Sequence, residues 1–325
     1  MIDTSIERAV ALLRGGDVVA FPTETVYGLG AIAFDTNAVA KIFERKGRPR
    51  FDPLIVHAPT MEDAFRLCDR VPDIARRLAE NFWPGPLTLV LPKHPSIPDL
   101  VTAGLPSVGV RVPAHPVAQS LLTALEAPLA APSANRFGKV SPTTAEHVFL
   151  DLGTSIPMIL DGGPCQRGIE STIVSLLEAT PRLLRPGSIA IEEIQTVVGN
   201  IAVSLGETDS RLSPGQQKSH YAPRTPMQPL AEAARPRPGE RVGLLAIAPM
   251  SSEGYAAVEV LSPNGDLREA ATKLFAALRG LDSRMLDRIV CQLAPLHGLG
   301  AAINDRLLRG CQPASLEAQG PTTPT

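Results

Sequence analysis

Short apolar runs that end in a polar or prolyl residue recur through the first 190 positions, and helical patterns fill the spaces between them. Residues 18–21 run into Pro22, 54–56 into His57, 108–110 into Arg111, 129–131 into Pro132-Ser133, and Leu183-Leu184 into Arg185. Runs this short and this apolar read as strands covered on both faces, and alternation with amphipathic segments defines an α/β fold. In such folds ligands bind where strands end. A chain with Ser, Thr or Arg at so many strand ends is expected to line one face of its sheet for a ligand.

Helices are predicted over residues 5–14, 60–69, 72–82, 115–126, 143–151 and 189–198, with further strands at 87–91, 158–160 and 173–174. A first domain of residues 1–203 follows. Residues 204–239 shift to Pro, Gly, Gln and Arg with little periodicity and read as an interdomain linker. Within it, Ser213–Pro223, with Lys218, His220 and Tyr221 close together, is too rich in specific groups for a passive tether and is expected to dock on a site. Residues 240–312 read as a smaller α/β unit, with strands at 242–247, 257–261 and 289–293 and helices at 267–280 and 299–309. Residues 313–325 read as a disordered tail.

The densest chemistry lies at Lys46-Gly47-Arg48-Pro49-Arg50, between the end of a helix and the strand at 54–56. Three cations within five residues repel one another, so an anion is their natural partner. Arg offers a planar fork of donors and Lys a point charge, a set that suits a polyphosphate. A solvated basic loop is the plain alternative. Other strand ends add Thr23, Thr25 and Tyr27, then Arg111, then Ser133 and Asn135 after small residues that let a ligand approach. Gly28-Leu29-Gly30-Ala31-Ile32-Ala33 matches a dinucleotide fingerprint, but the residues after it look extended where a helix should begin.

Composition excludes several classes. The net charge of −2 and the 4% aromatic content argue against a dedicated nucleic-acid binder. The four cysteines are scattered, with no zinc spacing or disulfide framework, which fits a reducing cytoplasm. No apolar run approaches 18 residues, so neither export nor membrane insertion is expected. Walker, zincin and nucleophile-elbow motifs do not occur. The remaining inventory of cations, hydroxyls and one amide can bind a nucleoside triphosphate and a small zwitterion without a covalent step.

Lys46-x-Arg48 with Pro53-Leu54-Ile55-Val56-His57, Pro132-Ser133-Ala134-Asn135, the stretch from Pro22 to Gly30 and Trp83-Pro84-Gly85-Pro86 together resemble the threonylcarbamoyl-AMP synthases of the YrdC-like fold. The linker with His220-Tyr221-Ala222-Pro223 and the second unit resemble the longer form, with a Rossmann-like C-terminal domain. The resemblance implies a twisted open sheet with a concave ligand face. It implies synthesis of L-threonylcarbamoyl-AMP and pyrophosphate from L-threonine, bicarbonate or CO2, and ATP. Mg²⁺ would enter with ATP, without a dedicated protein site. The product would pass to a tRNA threonylcarbamoyl transferase, which modifies the adenosine beside the anticodon.

Residue by residue, the resemblance places Lys46 and Arg48 as the catalytic cations and Arg48, Asp52, Ser107, Ser133, Asn135, Ser141, Arg185 and Tyr221 at ATP. Thr25, His57, Arg111, Ala131 and Ser171 fall on the threonine side, Arg111 at its carboxylate. Asp52 departs from the family's usual Asn; a carboxylate there would repel phosphate and is expected to face the adenosine or Arg48. The alternative from a different class is a double-stranded RNA or tRNA-binding module using the same cationic face.

Overall fold

The computed structural model describes residues 1–203 and 220–312. β1 (Ile2–Asp3) and α1 (Ile6–Arg14) lead to β2 (Val19–Phe21), β3 (Gly28–Ile32), α2 (Thr36–Lys46) and β4 (Ile55–His57). Helices α3 (Met61–Arg66) and α4 (Asp73–Phe82) precede β5 (Leu87–Pro92). Next come α5 (Asp99–Thr102), β6 (Ser107–Arg111), α6 (Pro116–Leu125), β7 (Leu129–Ala130) and α7 (Ala145–Leu152). β8 (Met158–Leu160), β9 (Thr172–Ser175), β10 (Arg182–Arg185), α8 (Ile191–Val198) and β11 (Ala202–Val203) complete the first unit. Its eleven strands form one mixed sheet in the order β1-β8-β2-β3-β7-β4-β6-β5-β9-β10-β11.

The second unit holds β12 (Met227–Pro229), β13 (Val242–Ala246), β14 (Ala257–Val260), α9 (Leu267–Asp282), β15 (Arg288–Cys291) and α10 (Gly300–Gly310). Its four strands are all parallel, in the order β12-β15-β13-β14. β12 corrects the expected linker of 204–239. Met227 pairs with Ile289 at a sheet edge, so the second unit begins before residue 240. A three-residue strand carries no period to read. Ahead of it, the amides of Arg224 and Thr225 donate to the Asp282 carboxylate at 3.0 and 2.8 Å, fastening this stretch to the end of α9. Most of the predicted linker, residues 204–219, and the predicted disordered tail lie outside the described residues.

The structure agrees with the sequence in setting aside the dinucleotide match at Gly28-x-Gly30. Both glycines sit in β3, which runs antiparallel to β2 and β7, and no helix follows directly. Phe21 on β2 lies across β3, and a Cβ at Gly30 would come within 2.8 Å of its ring. Glycine is needed there for close packing, not for a phosphate.

α2 shows how the fold aims a cation. Asp35 caps its start by accepting from the Asn37 and Ala38 amides, and Gly47 ends it in the left-handed region at φ 62°. Ala38, Val39, Ile42, Phe43 and Lys46 share the buried face, so the last turn points an ammonium inward beside Ile42 and Phe43.

The two units share a core. Val26, Val140, Ile169 and Ala190 of the first pack with Leu274, Phe275, Ile303 and Leu307 of the second. Gly168 lies so close to α9 that a Cβ would sit 2.2 Å from the Thr272 carbonyl oxygen. Arg279 of α9 is ion-paired with Asp151 at 2.6 Å and donates to the carbonyls of Val140 and Ser141.

Candidate active site

The ends of β4, β6, β9 and β10 and the turns after β2 and β7 surround a cavity of about 520 Å³, counting its open mouth. Of the residues chosen from sequence, Thr25, Arg48, His57, Arg111, Ala131, Ser133, Ser171, Arg185 and Tyr221 line it.

The cationic stretch is only partly a turn. Lys46 belongs to α2 and is 3% exposed, and Arg48 is 7% exposed; Arg50 alone is a solvated loop cation. Lys46 Nζ donates to the Ser133 carbonyl at 2.6 Å and to that of Asn135, tying α2 to the turn after β7. Burial, reinforced by the nearby Arg48 charge, holds the ammonium well below the usual lysine range. Arg48 donates to the Pro53 carbonyl at 2.9 Å and pairs with the Asp52 carboxylate at 3.0 Å. Asp52 thus faces Arg48. Burial raises its carboxyl above the ordinary value, with Arg48 and Lys46 opposing.

His57 and Arg111 are register neighbours on the parallel strands β4 and β6. Arg111 lines the cavity; its Nη2 donates to Glu24 at 2.7 Å and its Nε to the Gly85 carbonyl at 3.2 Å. Desolvation, with Arg111 beside it, pushes the His57 imidazole down to about 3, so it is neutral at ordinary pH. The Thr25 hydroxyl meets that of Thr23 at 2.7 Å, and Ser171 Oγ meets Thr88 Oγ1 at 2.8 Å. Arg185 Nη2 donates to Ser171 Oγ at 3.1 Å and to its carbonyl at 2.9 Å.

His220 and Tyr221 close one side. Their rings meet edge-on at 4.1 Å, and Tyr221 stacks on Phe275 of α9 at 5.5 Å. Tyr221 is a non-glycine residue in the left-handed region, at φ 61°. Its hydroxyl is buried without a hydrogen-bond partner. His220 sits among Arg48, Lys46 and Arg185; desolvation first, then those charges, hold its imidazole well below the ordinary range.

Five chosen residues lie off this wall: Lys46, held on the carbonyls of Ser133 and Asn135, Asp52, held on Arg48, and three more. Ser107, at the start of β6, lines an adjoining cavity of about 310 Å³ that shares Ile55 with the first. Asn135 turns its amide to the carbonyls of Arg136 and Lys139, both at 2.8 Å. Ser141 donates to Glu170 at 2.6 Å and reaches the cavity only through it. Sequence reasoning assigned Glu24, Glu170 and His220 to neither substrate, although it set a carboxylate at the first strand end and His220 in the segment expected to dock on a site. Glu24 and Glu170 stand beside chosen residues in quoted motifs, and only the fold shows that their carboxylates face arginines.

The duplex-binding alternative fails on position. Arg48, Arg111 and Arg185 are 7%, 3% and 4% exposed on the wall of a pocket, out of reach of a duplex backbone. Fold and site define an α/β protein that holds an anionic ligand against a smaller polar one at the strand ends of a concave sheet.

The comparisons with known proteins agree. Residues 11–187 match the Sua5/YciO/YrdC family, described as "Telomere recombination", and residues 189–311 match the C-terminal domain of threonylcarbamoyl-AMP synthase. The chain is 44% identical to the threonylcarbamoyl-AMP synthase of Pyrococcus abyssi, over 93% of its own length and 92% of the relative's. It is likewise 44% identical to the Bacillus subtilis enzyme, over 94% and 93%. The crystal structure of P. abyssi Sua5 complexed with L-threonine superposes with a TM-score of 0.88 at 40% identity, covering 96% of this chain and 97% of that one. This chain belongs to the threonylcarbamoyl-AMP synthase family, in its two-domain form.

Proposed function

We propose that this protein joins L-threonine, bicarbonate or CO2, and ATP into L-threonylcarbamoyl-AMP and pyrophosphate, the first step of threonylcarbamoylation of the tRNA adenosine beside the anticodon. The contact between Arg185 and Ser171 carries the reading: in one cavity a buried arginine sits directly against the hydroxyl expected on the threonine side. The names of the full-length relatives support it.

Threonine sits between Thr25, His57, Ala131 and Ser171, its carboxylate at Arg111. The triphosphate lies along Lys46, Arg48, Ser133 and Arg185, and the adenosine extends over Ile55 towards Ser107. The free amine attacks CO2, forming the C–N bond and releasing a proton to solvent. A carbamate oxygen then attacks the α-phosphorus. The new O–P bond forms as the bridge to the β-phosphate breaks and pyrophosphate leaves. Cations fixed on strand ends and a helix terminus stabilise the developing charge without reorganising. His57, neutral by desolvation, serves as a hydrogen-bonding group and not as a cation.

The donor set does not suit a protein-bound metal. Glu24, Asp52 and Glu170 each face an arginine. Mg²⁺ enters as the counter-ion of ATP. Tyr221 covers the nucleotide and helps keep water from the carbamate and the mixed anhydride, both of which hydrolyse readily. The product goes to a tRNA threonylcarbamoyl transferase. The protein is expected to work in the cytoplasm; separately, no helix among the described residues is long and apolar enough to cross a membrane. Mass spectrometry of reactions with ATP, threonine and ¹³C-bicarbonate tests the assignment: a threonylcarbamoyl adenylate carrying the label is expected, and its absence refutes the reading.

A further inference from the structure

Glu170, on the cavity wall, is gripped from the second domain. One carboxylate oxygen accepts from Ser141 Oγ at 2.6 Å; the other accepts from Nε of Arg306, on α10, at 3.1 Å. Arg306 is wholly buried, and it is one of the largest side chains in the protein with no solvent exposure. Its Nη1 donates to the carbonyl of Pro186, the residue after Arg185, and pairs with Asp305 at 3.1 Å. The guanidinium lies 5.4 Å from the centre of the Tyr221 ring, which also meets Phe275 and His220. One side chain of the second domain therefore touches the partner of Ser141, the strand end that carries Arg185, and the aromatic ring over the cavity.

Adhesion does not account for this charge. A buried ion pair is seldom worth more than well-packed apolar residues of similar volume. The interface already has an apolar seam through Val26, Val140, Ile169 and Ala190, and Arg279 fastens the neighbouring backbone independently through Asp151 and the carbonyls of Val140 and Ser141. What Arg306 supplies is the ion-pair partner of Glu170, whose charge Arg185 also feels. Without it, the carboxylate that holds Ser141 would lose its ion-pair partner beside the expected path of a triphosphate.

We propose that Arg306 is a positioning residue for the nucleotide half of the site: it neutralises and orients Glu170, through Glu170 it fixes Ser141, and it seats Tyr221. The second domain is then part of the catalytic geometry without touching substrate. This inference rests on the assignment of Ser141 and Tyr221 to the nucleotide side.

The test uses the full chain and measures KM for ATP and for threonine separately. Arg306→Met keeps the volume and removes the charge. It is expected to raise KM for ATP roughly tenfold or more, as loss of one buried charge partner does, and to change KM for threonine less than about twofold. Adding Glu170→Gln should restore most of the ATP affinity, because the unpaired charge is gone; lost packing alone would not be rescued in this way. Should Arg306→Met not fold, Arg306→Lys keeps a charge without the fork, and a raised KM for ATP is again expected. A folded Arg306 variant with unchanged KM for ATP overturns the inference. So does a rise in KM for ATP that Glu170→Gln leaves in place. Ser141→Ala separates the two levels: unchanged KM for ATP there overturns the nucleotide-side assignment itself, whereas an impaired Ser141→Ala beside an unimpaired Arg306→Met overturns only the role of Arg306.

Discussion

Arg111 and Glu24 form a buried ion pair at 2.7 Å, with side chains 4% and 5% exposed, where the carboxylate of an amino acid is proposed to bind. Glu24 also accepts from the Ala114 amide at 3.0 Å, so the turn after β2 and the residues after β6 are held through one carboxylate. The pair presents Arg111 oriented and already neutralised.

Removing one partner of such a pair costs about 3–5 kcal/mol, because the other charge stays buried. Glu24→Gln is therefore expected to lower the melting temperature. Saturating threonine, whose carboxylate replaces the missing counter-charge, should raise that temperature more in the variant than in the parent. Thermal shifts with and without threonine check this. An unchanged melting temperature, or a smaller threonine shift in the variant, contradicts the pairing.

Lys46→Ala should lose activity and stability together. A single charge-stabilising group at a transition state is worth on the order of 3 kcal/mol, roughly a hundredfold in rate. Lys46 also satisfies two backbone carbonyls, and leaving a buried acceptor unpaired costs about 1–3 kcal/mol. Placing Lys46 on a polar turn, as the sequence suggests, predicts loss of rate alone; its burial on α2 adds the loss of stability. Turnover under saturating ATP and a urea midpoint for the same variant separate the two effects.

Asp52→Asn should bind ATP more tightly. The carboxylate offsets the Arg48 charge at 3.0 Å, and an amide keeps a hydrogen-bonding oxygen without repelling phosphate. A several-fold fall in KM for ATP is expected, and a rise would show that the ion pair orients Arg48 productively.

Stability should fall as the solution is acidified from neutrality. The folded protein keeps His57 neutral down to about pH 3 and His147 down to about 4, whereas both take up a proton near 6.5 when unfolded. Between those values the unfolded chain binds more protons, so stability rises with pH across the window. Each histidine contributes up to about 1.4 kcal/mol per pH unit. Above about pH 7 these groups add nothing further. Urea midpoints from pH 4.5 upward should show the slope, and His57→Gln should make it shallower. A flat profile would contradict the burial of these imidazoles.

Much of this was legible because strand ends announce themselves. Val108-Gly109-Val110-Arg111 and Leu183-Leu184-Arg185 put a cation after an apolar run, and both arginines reach the cavity. Ser171 and Ala131 were found by family resemblance, and both line it. What stayed hidden depends on distant pairing. β12 has three residues and is a strand only because β15 lies beside it. Lys46 looked like a turn residue because local pattern shows where a helix stops, not what its last turn faces. Glu170 and Arg306 are 136 positions apart, and neither has a local signature that foretells the other.

Pyrophosphate release under single omission of each substrate tests the central claim most directly. With ATP, L-threonine and bicarbonate all present, the protein is expected to release pyrophosphate in step with formation of the threonylcarbamoyl adenylate. Leaving out threonine or bicarbonate should bring release to background, because the nucleophile that attacks the α-phosphorus is assembled from both. Equal release without threonine would contradict the account, since the cavity would then cleave ATP with water or another acceptor.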